Sequence, residues 1–205
     1  EAALVVRAGL CDNQVRSVAV PREGGMKDLT AMSLIDSMGW QKAEQLRYPS
    51  GDGAIIAFFG GVADAASMVE PYATMFERMG IGRIVKRTGD VWPGAPGCSL
   101  ACRAALIEQD PECVQRVVRA YMRAASWVLV NPDEAAAIAA PIIGIHAAHT
   151  AAAMHANPAR VDGVRNSDTM RTILEFMLSL GYMNEIPEGF TDLRFMNAAA
   201  ADASV

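Results

Sequence analysis

Three short loops hold the residues best suited to recognise a small molecule. Arg22-Glu23-Gly24-Gly25 and Pro49-Ser50-Gly51-Asp52-Gly53 each pass from a β-favouring run into a segment of helical length, and Glu70-Pro71 does the same farther along. A glycine-rich turn that opens a helix exposes free backbone amides at the positive end of the helix dipole, a setting for a carboxylate, sulfonate or phosphate. Arg22 adds a cation to the first loop and Ser50 a hydroxyl to the second. Glycines in any one such loop also serve simply to shape a turn; two loops of this kind on one sheet edge favour binding. Neither has the spacing of a phosphate-binding loop or a dinucleotide fingerprint, which argues against nucleotides.

Other reactive side chains form no comparable constellation. His146, His149 and His155 occupy one helical stretch, and the first two share a face. No acid or cysteine stands near them to complete a metal set, so packing or surface roles are expected. Cys98 and Cys102, four apart, are expected on one helix face, with Cys113 in the next helix. Free buried thiols are the first reading of them and a bridge to Cys113 the second. Nothing resembles a nucleophile elbow, a zinc-protease helix or a carboxylate pair, so no catalytic residue, metal or cofactor is assigned. Asp64 interrupts an apolar run and needs a partner, either loop amides or a ligand. Trp92, in a Gly/Pro-rich connection, is placed to line a cleft, and Trp127 is expected in a core.

The elements that carry these loops follow from periodicity. Residues 17–86 alternate short β-favouring runs (Ser17–Val20, Glu44–Tyr48, Val62–Val69, Arg83–Lys86) with helical segments (Met26–Met38, Ala54–Phe59, Pro71–Met79). That rhythm predicts a parallel sheet with right-handed crossovers, whose carboxyl edge collects the three loops. From about Cys98 the chain reads as helix. Asp110-Pro111-Glu112 and Asn131-Pro132-Asp133-Glu134 are start signals. The first helix is predicted to run to Val130 with Val114, Val117, Val118, Tyr121, Ala125 and Val128 buried. Ser167-Asp168 caps a further helix with an Ile173, Leu174, Met177, Leu178 core stripe, ended by Gly181. The stretch Met196–Ala200 is expected to be weakly ordered.

Composition sets the outer bounds. The 205 residues are 52% hydrophobic, with 18 basic and 23 acidic side chains and a formal charge of -5. That apolar fraction supports a packed core, and the acidic balance without a Lys/Arg cluster argues against nucleic acid or an anionic membrane surface as partner. The nearly uncharged run 135–157 contains Pro141 and Gly144 and reads as two helices, not a membrane span. No charged-then-apolar leader is visible at the start.

Taken in order, a further set of segments carries a family resemblance: Val18-Ala19-Val20-Pro21 with Gly24-Gly25, Tyr48-Pro49-Ser50-Gly51-Asp52, Gly60-Gly61-Val62-Ala63-Asp64-Ala65 with Glu70-Pro71, Gln109 to Val114, and Asn131 to Ala136. Over about residues 17–182 the chain resembles the periplasmic solute-binding proteins of ABC importers for nitrate, sulfonates, taurine and thiamine-precursor pyrimidines, the NMT1-like family. The resemblance implies an α/β fold of the type II periplasmic-binding-protein kind. Residues 17–90 would form the second α/β lobe, and residues 1–16 and 91–205 the mostly helical remainder of the first. It implies capture of a small anionic or zwitterionic organic solute in the periplasm, without chemistry, for ABC permease subunits. Arg22, Gly24, Gly25, Ser50, Gly51 and Asp52 would touch the ligand, with Glu70 and Trp92 at the cleft rim. Family members begin with a further strand-helix stretch, so this chain is expected to lack its first part, and a homo-oligomer or a partner chain is expected to cover the incomplete lobe. The alternatives are an enzyme on the same fold, forming pyrimidine precursors or removing sulfinate, and a shortened sensor or interaction subunit.

Overall fold

The computed structural model describes residues 2–158, 160–189 and 191–202. In chain order the elements are β1 (Ala2–Arg7), β2 (Ser17–Pro21), α1 (Met26–Ser37), β3 (Glu44–Tyr48), α2 (Gly51–Phe59), β4 (Ala65–Val69), α3 (Tyr72–Arg78), β5 (Gly82–Arg87), α4 (Thr88–Val91), α5 (Ala104–Gln109), α6 (Pro111–Val130), α7 (Pro132–Ile143), α8 (Ala147–Ala156), α9 (Ser167–Ser179) and α10 (Arg194–Asp202). They divide into one unit of Glu1–Pro93 with Ala136–Asn157 and a second of Gly94–Ala135 with Pro158–Val205.

The first unit is built on a five-stranded sheet of order β3-β2-β4-β1-β5. β2 runs parallel to both β3 and β4, whereas β1 is antiparallel to β4 and to β5. Four strands therefore share a direction and β1 alone opposes them, so the sheet is mixed where a purely parallel one was expected. The segment Ala2–Val6, assigned from sequence to the helical remainder, is a near-central strand. Its five apolar residues are all buried, because a strand covered on both faces shows an unbroken apolar run without alternation.

Period-two alternation then divides the core. Ala3, Val5, Ala19, Ala66 and Met68 face one side and pack with Ala54, Phe58 and Phe76 from α2 and α3. Leu4, Val6, Val18, Val20 and Ala65 face the other and pack with Ala31, Leu34, Ile35 and Trp40 in and after α1. The two crossovers explain this. The chain leaves β2 through α1 to reach β3 on one flank, then returns through α2 to β4 on the other flank. Right-handed connections in opposite directions must cross opposite faces.

Two details lock this unit. Arg7, ending β1, donates to the carbonyl oxygens of Phe58 and Ala63 and lies 5.1 Å from the Phe58 ring centroid, placing a cation at the C-terminal end of α2. Asp64 Oδ2 accepts the amides of Arg16 (2.8 Å) and Ser17 (3.1 Å), and the Asp64 amide donates to Ser17 Oγ. Of its two readings, the loop-amide one holds: Asp64 joins the amino ends of β2 and β4, away from the candidate loops.

α8 belongs to the same unit and packs on α3. Gly144, at φ +71°, ends α7, and His146 caps α8 by accepting the Ala148 amide on Nδ1. The His146 and His149 rings meet edge to face at 6.3 Å. Among the described residues no group of three or more His, Cys, Asp or Glu side chains is arranged to hold a metal ion.

The second unit is helical among its described residues. Asp110 caps α6 through its Oδ1 and the Cys113 amide, with Pro111 in the first turn. The buried face differs from expectation: Val114 is buried, but Val117 (49%) and Tyr121 (52%) are exposed, and Trp127 keeps 39% of its surface, so it is no core residue. α9 is capped by Asn166, one residue before the expected start, and Leu178 is exposed. Met196–Ala200, expected to be loose, lies in α10, which packs on α6. There Gln115 Nε2 donates to the Phe195 carbonyl and Ala199 is buried. Cys98 and Cys102 sit in irregular chain because Pro93, Gly94, Pro96 and Gly97 break any helix. All four cysteines are free, and Cys11, Cys98 and Cys102 are exposed where buried thiols were expected. Before α10, the Arg194 guanidinium hydrogen-bonds Asp192, holding that carboxyl below the usual carboxylate range and raising its own pKa. No described helix is long and apolar enough to cross a membrane.

Candidate functional site

In open α/β sheets ligands bind outside the carboxyl ends of the strands, where strand order reverses. Here that point lies between β2 and β4, since the chain departs from β2 to one flank and returns to the other. The loops that follow β2, β3 and β4 are 22–25, 49–50 and 70–71, so the structure brings the three sequence-selected segments to one edge of the first unit.

The loop after β2 is organised by a buried ion pair. Asp28, in the first turn of α1, is fully buried, and its Oδ1 takes Arg47 NH1 at 2.7 Å while its Oδ2 accepts the Gly24 amide at 3.1 Å. Gly24 holds φ +88°, a conformation that costs little only for glycine. Gly25 is the N-cap of α1 in extended conformation, without a side-chain cap. Thus Gly24's amide is spent on Asp28, while those of the first α1 residues have no partner within the helix. Arg22 is exposed beside them.

The loop after β3 is a capped helix start. Ser50 Oγ accepts the Gly53 amide at 3.3 Å, leaving Gly51 and Asp52 at the first two positions of α2. A Cβ on Gly53 would stand 3.0 Å from that of Tyr48, so the first turn of α2 lies close on the end of β3. Lys27 joins the two loops: its Nζ lies 3.3 Å from where a Cβ on Gly51 would be. An ammonium placed against a helix N-terminus meets like-signed charge, and Lys27 has no ion pair with a described residue. The arrangement is electrostatically unsatisfied until an anion arrives.

Glu70 and Trp92 stand differently. The Glu70 carboxylate is held by Arg87 NH1, by Thr74 Oγ1 (2.9 Å), by the Thr74 amide (3.0 Å) and by Asn157 Nδ2 (3.1 Å), with about 10% of its side chain exposed. It ties the ends of β4, β5 and α8 to the start of α3, and its acceptor capacity is taken up within the protein. Trp92 is 6% exposed and caps the C-terminal end of α4. It is a packed residue within the first unit, and no open rim is formed by its ring.

Sequence reasoning missed Lys27, Asp28, Arg47 and Asn157. Asp28 had a readable signal, an acid three positions after a helix-opening glycine. The others are brought in by folding from adjacent elements and have no local signature.

Comparison with known proteins agrees with this architecture. The model of the NMT1-like family matches residues 8–144. A ligand-binding component of an ABC-type import system from Staphylococcus aureus, solved with zinc bound, superposes with a TM-score of 0.80 at 16% identity, covering 97% of this chain and 70% of that one. The periplasmic sulfonate-binding protein SsuA of Methylobacillus flagellatus KT gives 0.66 at 15% identity, over 99% of this chain and 66% of that one. The desulfurization enzyme DSZB gives 0.64 at 13%, over 98% and 76%. No curated protein sequence matches the chain. At these identities the structural likenesses establish the fold, that of the periplasmic ligand-binding proteins. With a family model spanning two thirds of its length, the chain belongs to the NMT1-like family.

Proposed function

We propose that the chain is the solute-binding component of an ABC-type importer, taking the anionic head of a small organic solute, such as a sulfonate or carboxylate, at the carboxyl edge of the first unit. The observation that carries this reading is Lys27, unpaired among the described residues and lying over the N-terminus of α2. The amides at the starts of α1 and α2, the Ser50 hydroxyl and Arg22 complete the anion-attracting set. Glu70 supports the site from behind, and Trp92 packs beneath it without touching the ligand. In this reading the first unit is the second lobe of the family clamp, the second unit contributes to the first lobe, the location is the periplasm and the partners are permease subunits. No chemistry is assigned: Cys11 lies at the opposite sheet edge and the other three cysteines are in the second unit.

Calorimetric titration with taurine, alkanesulfonates, nitrate and their neutral alcohol analogues tests the reading. At least one anion is expected to bind and its alcohol analogue not to. Lys27→Ala should weaken that anion about 10- to 30-fold, the loss of one charge-assisted hydrogen bond. Unchanged affinity in Lys27→Ala would place the site elsewhere, and turnover of any ligand would replace binding with catalysis.

A further inference from the structure

A second feature lies on the other unit and does not depend on the sheet edge. α6 carries Arg116, Arg119 and Arg123 at spacings of three and four, and Trp127 continues the same stripe four residues on. Between Cys113 and Pro132 there are three arginines and no acidic residue, in a chain whose formal charge is -5. Solvated helix faces ordinarily interleave opposite charges, and like charges three or four apart destabilise a helix. Arg116 and Arg123 have no hydrogen bond or ion pair with a described residue. Beside the stripe runs a groove of about 630 Å³, bounded by Arg119, Arg123, Ser126 and Trp127 on α6 and by Ala199 on α10. Arginine and tryptophan are the residue types that dominate binding energy at protein interfaces, and guanidinium forks match carboxylates two bonds at a time.

We propose that this stripe is a docking surface for an acidic helix of a partner protein. From Arg116 to Trp127 it spans about 16 Å at 1.5 Å per residue. A partner helix with carboxylates at the same three- and four-residue spacing matches it group for group, its apolar side resting in the groove against Trp127. Three arginines on a net acidic chain without neighbouring lysines make a weaker case for an anionic membrane, which favours larger basic clusters.

Trp127 supplies the readout. Trp40 and Trp92 are buried, so Trp127 is the tryptophan open to a soluble quencher. The probe is a synthetic helical peptide with Glu at positions i, i+3 and i+7 and Leu between. It is expected to shield Trp127 from acrylamide, with affinity falling at least tenfold between 50 and 500 mM salt, a range across which screening shortens from over 10 Å to a few ångströms. The same peptide with Gln for Glu should not shield it. Arg116→Glu/Arg123→Glu should lose binding at least tenfold while its thermal midpoint stays level or rises, because the like-charge contacts around Arg119 become opposite ones. Absence of shielding by the Glu peptide, equal shielding by the Gln peptide, or stronger shielding by phosphatidylglycerol vesicles would each overturn the proposal.

Discussion

Asp28 shows how one buried charge organises a binding edge. Fully enclosed, it holds the Gly24 amide on one oxygen and Arg47 on the other, and thereby sets the path of the loop that opens α1. Removing the guanidinium leaves a carboxylate in the core without its counter-charge. Such losses cost 3–5 kcal/mol for enclosed pairs, but Arg47 keeps 33% of its side-chain surface in water. Arg47→Met is therefore expected to lower stability by about 2–3 kcal/mol, read as a lower urea midpoint at unchanged slope. Asp28→Asn/Arg47→Met should recover part of that loss, since the buried charge is then gone. Lys27 is the opposite kind of residue. It costs the fold little to change, and its position matters to a ligand. Sequence alone marks neither difference, because burial and proximity across elements are properties of the folded chain.

Elements were more legible than residues. The strands β2, β3 and β5, the helices α1 to α3 and the start of α6 lie within a few residues of where periodicity and caps put them. Those signals are local: apolar spacing, Pro in the first helical turn, glycine after the last. What escaped was non-local. β1 lacks the alternation that marks a half-exposed strand, the outer face of α6 is apolar yet uncovered, and α10 is held by α6 with only a modest sequence signal of its own. The tightest element-level constraint is Gly82 at the start of β5. A Cβ there would lie 2.6 Å from Val5 Cγ1, 2.9 Å from the Val6 carbonyl oxygen and 3.0 Å from Phe58 Cζ. Gly82→Ala must push apart β1, β5 and α2, and is expected to cost about 2–3 kcal/mol, measured by thermal unfolding. Gly82→Ala/Val5→Ala should remain well below wild type, because the backbone oxygen cannot be trimmed away.

Across the whole molecule, apolar burial is unevenly shared. The first unit has a sheet sandwiched between two apolar clusters, including Leu4, Val5, Val6, Phe58 and Met68 at near-zero exposure. In the second unit the buried apolar side chains among the described residues are Val114, Ala135, Ile173, Leu174 and Ala199. Amides protected by a dense core exchange only through large-scale opening, whereas thinly covered helices open locally. Hydrogen exchange is accordingly expected to find the slowest amides in β1, β2 and β4. Those of α5, α6, α9 and α10 should exchange at least tenfold faster. Equal protection across both units would show that the helical unit is held by more than its own packing. The fold class was legible at this scale because strand-helix alternation and the serial order of turn segments survive without any tertiary information, whereas the division of the core did not.

The reversed strand β1 also bears on how the chain is made. Ala2 pairs with Val69 and Val6 with Ala65, while the other side of the strand meets residues 82–87. The earliest-synthesised strand must therefore wait for both neighbours until some sixty to eighty residues more have left the ribosome. During that interval the pair β2-β3, joined by its own crossover, can already form. The centre of the sheet closes after its edge, and a five-residue apolar ribbon awaits a slot completed last.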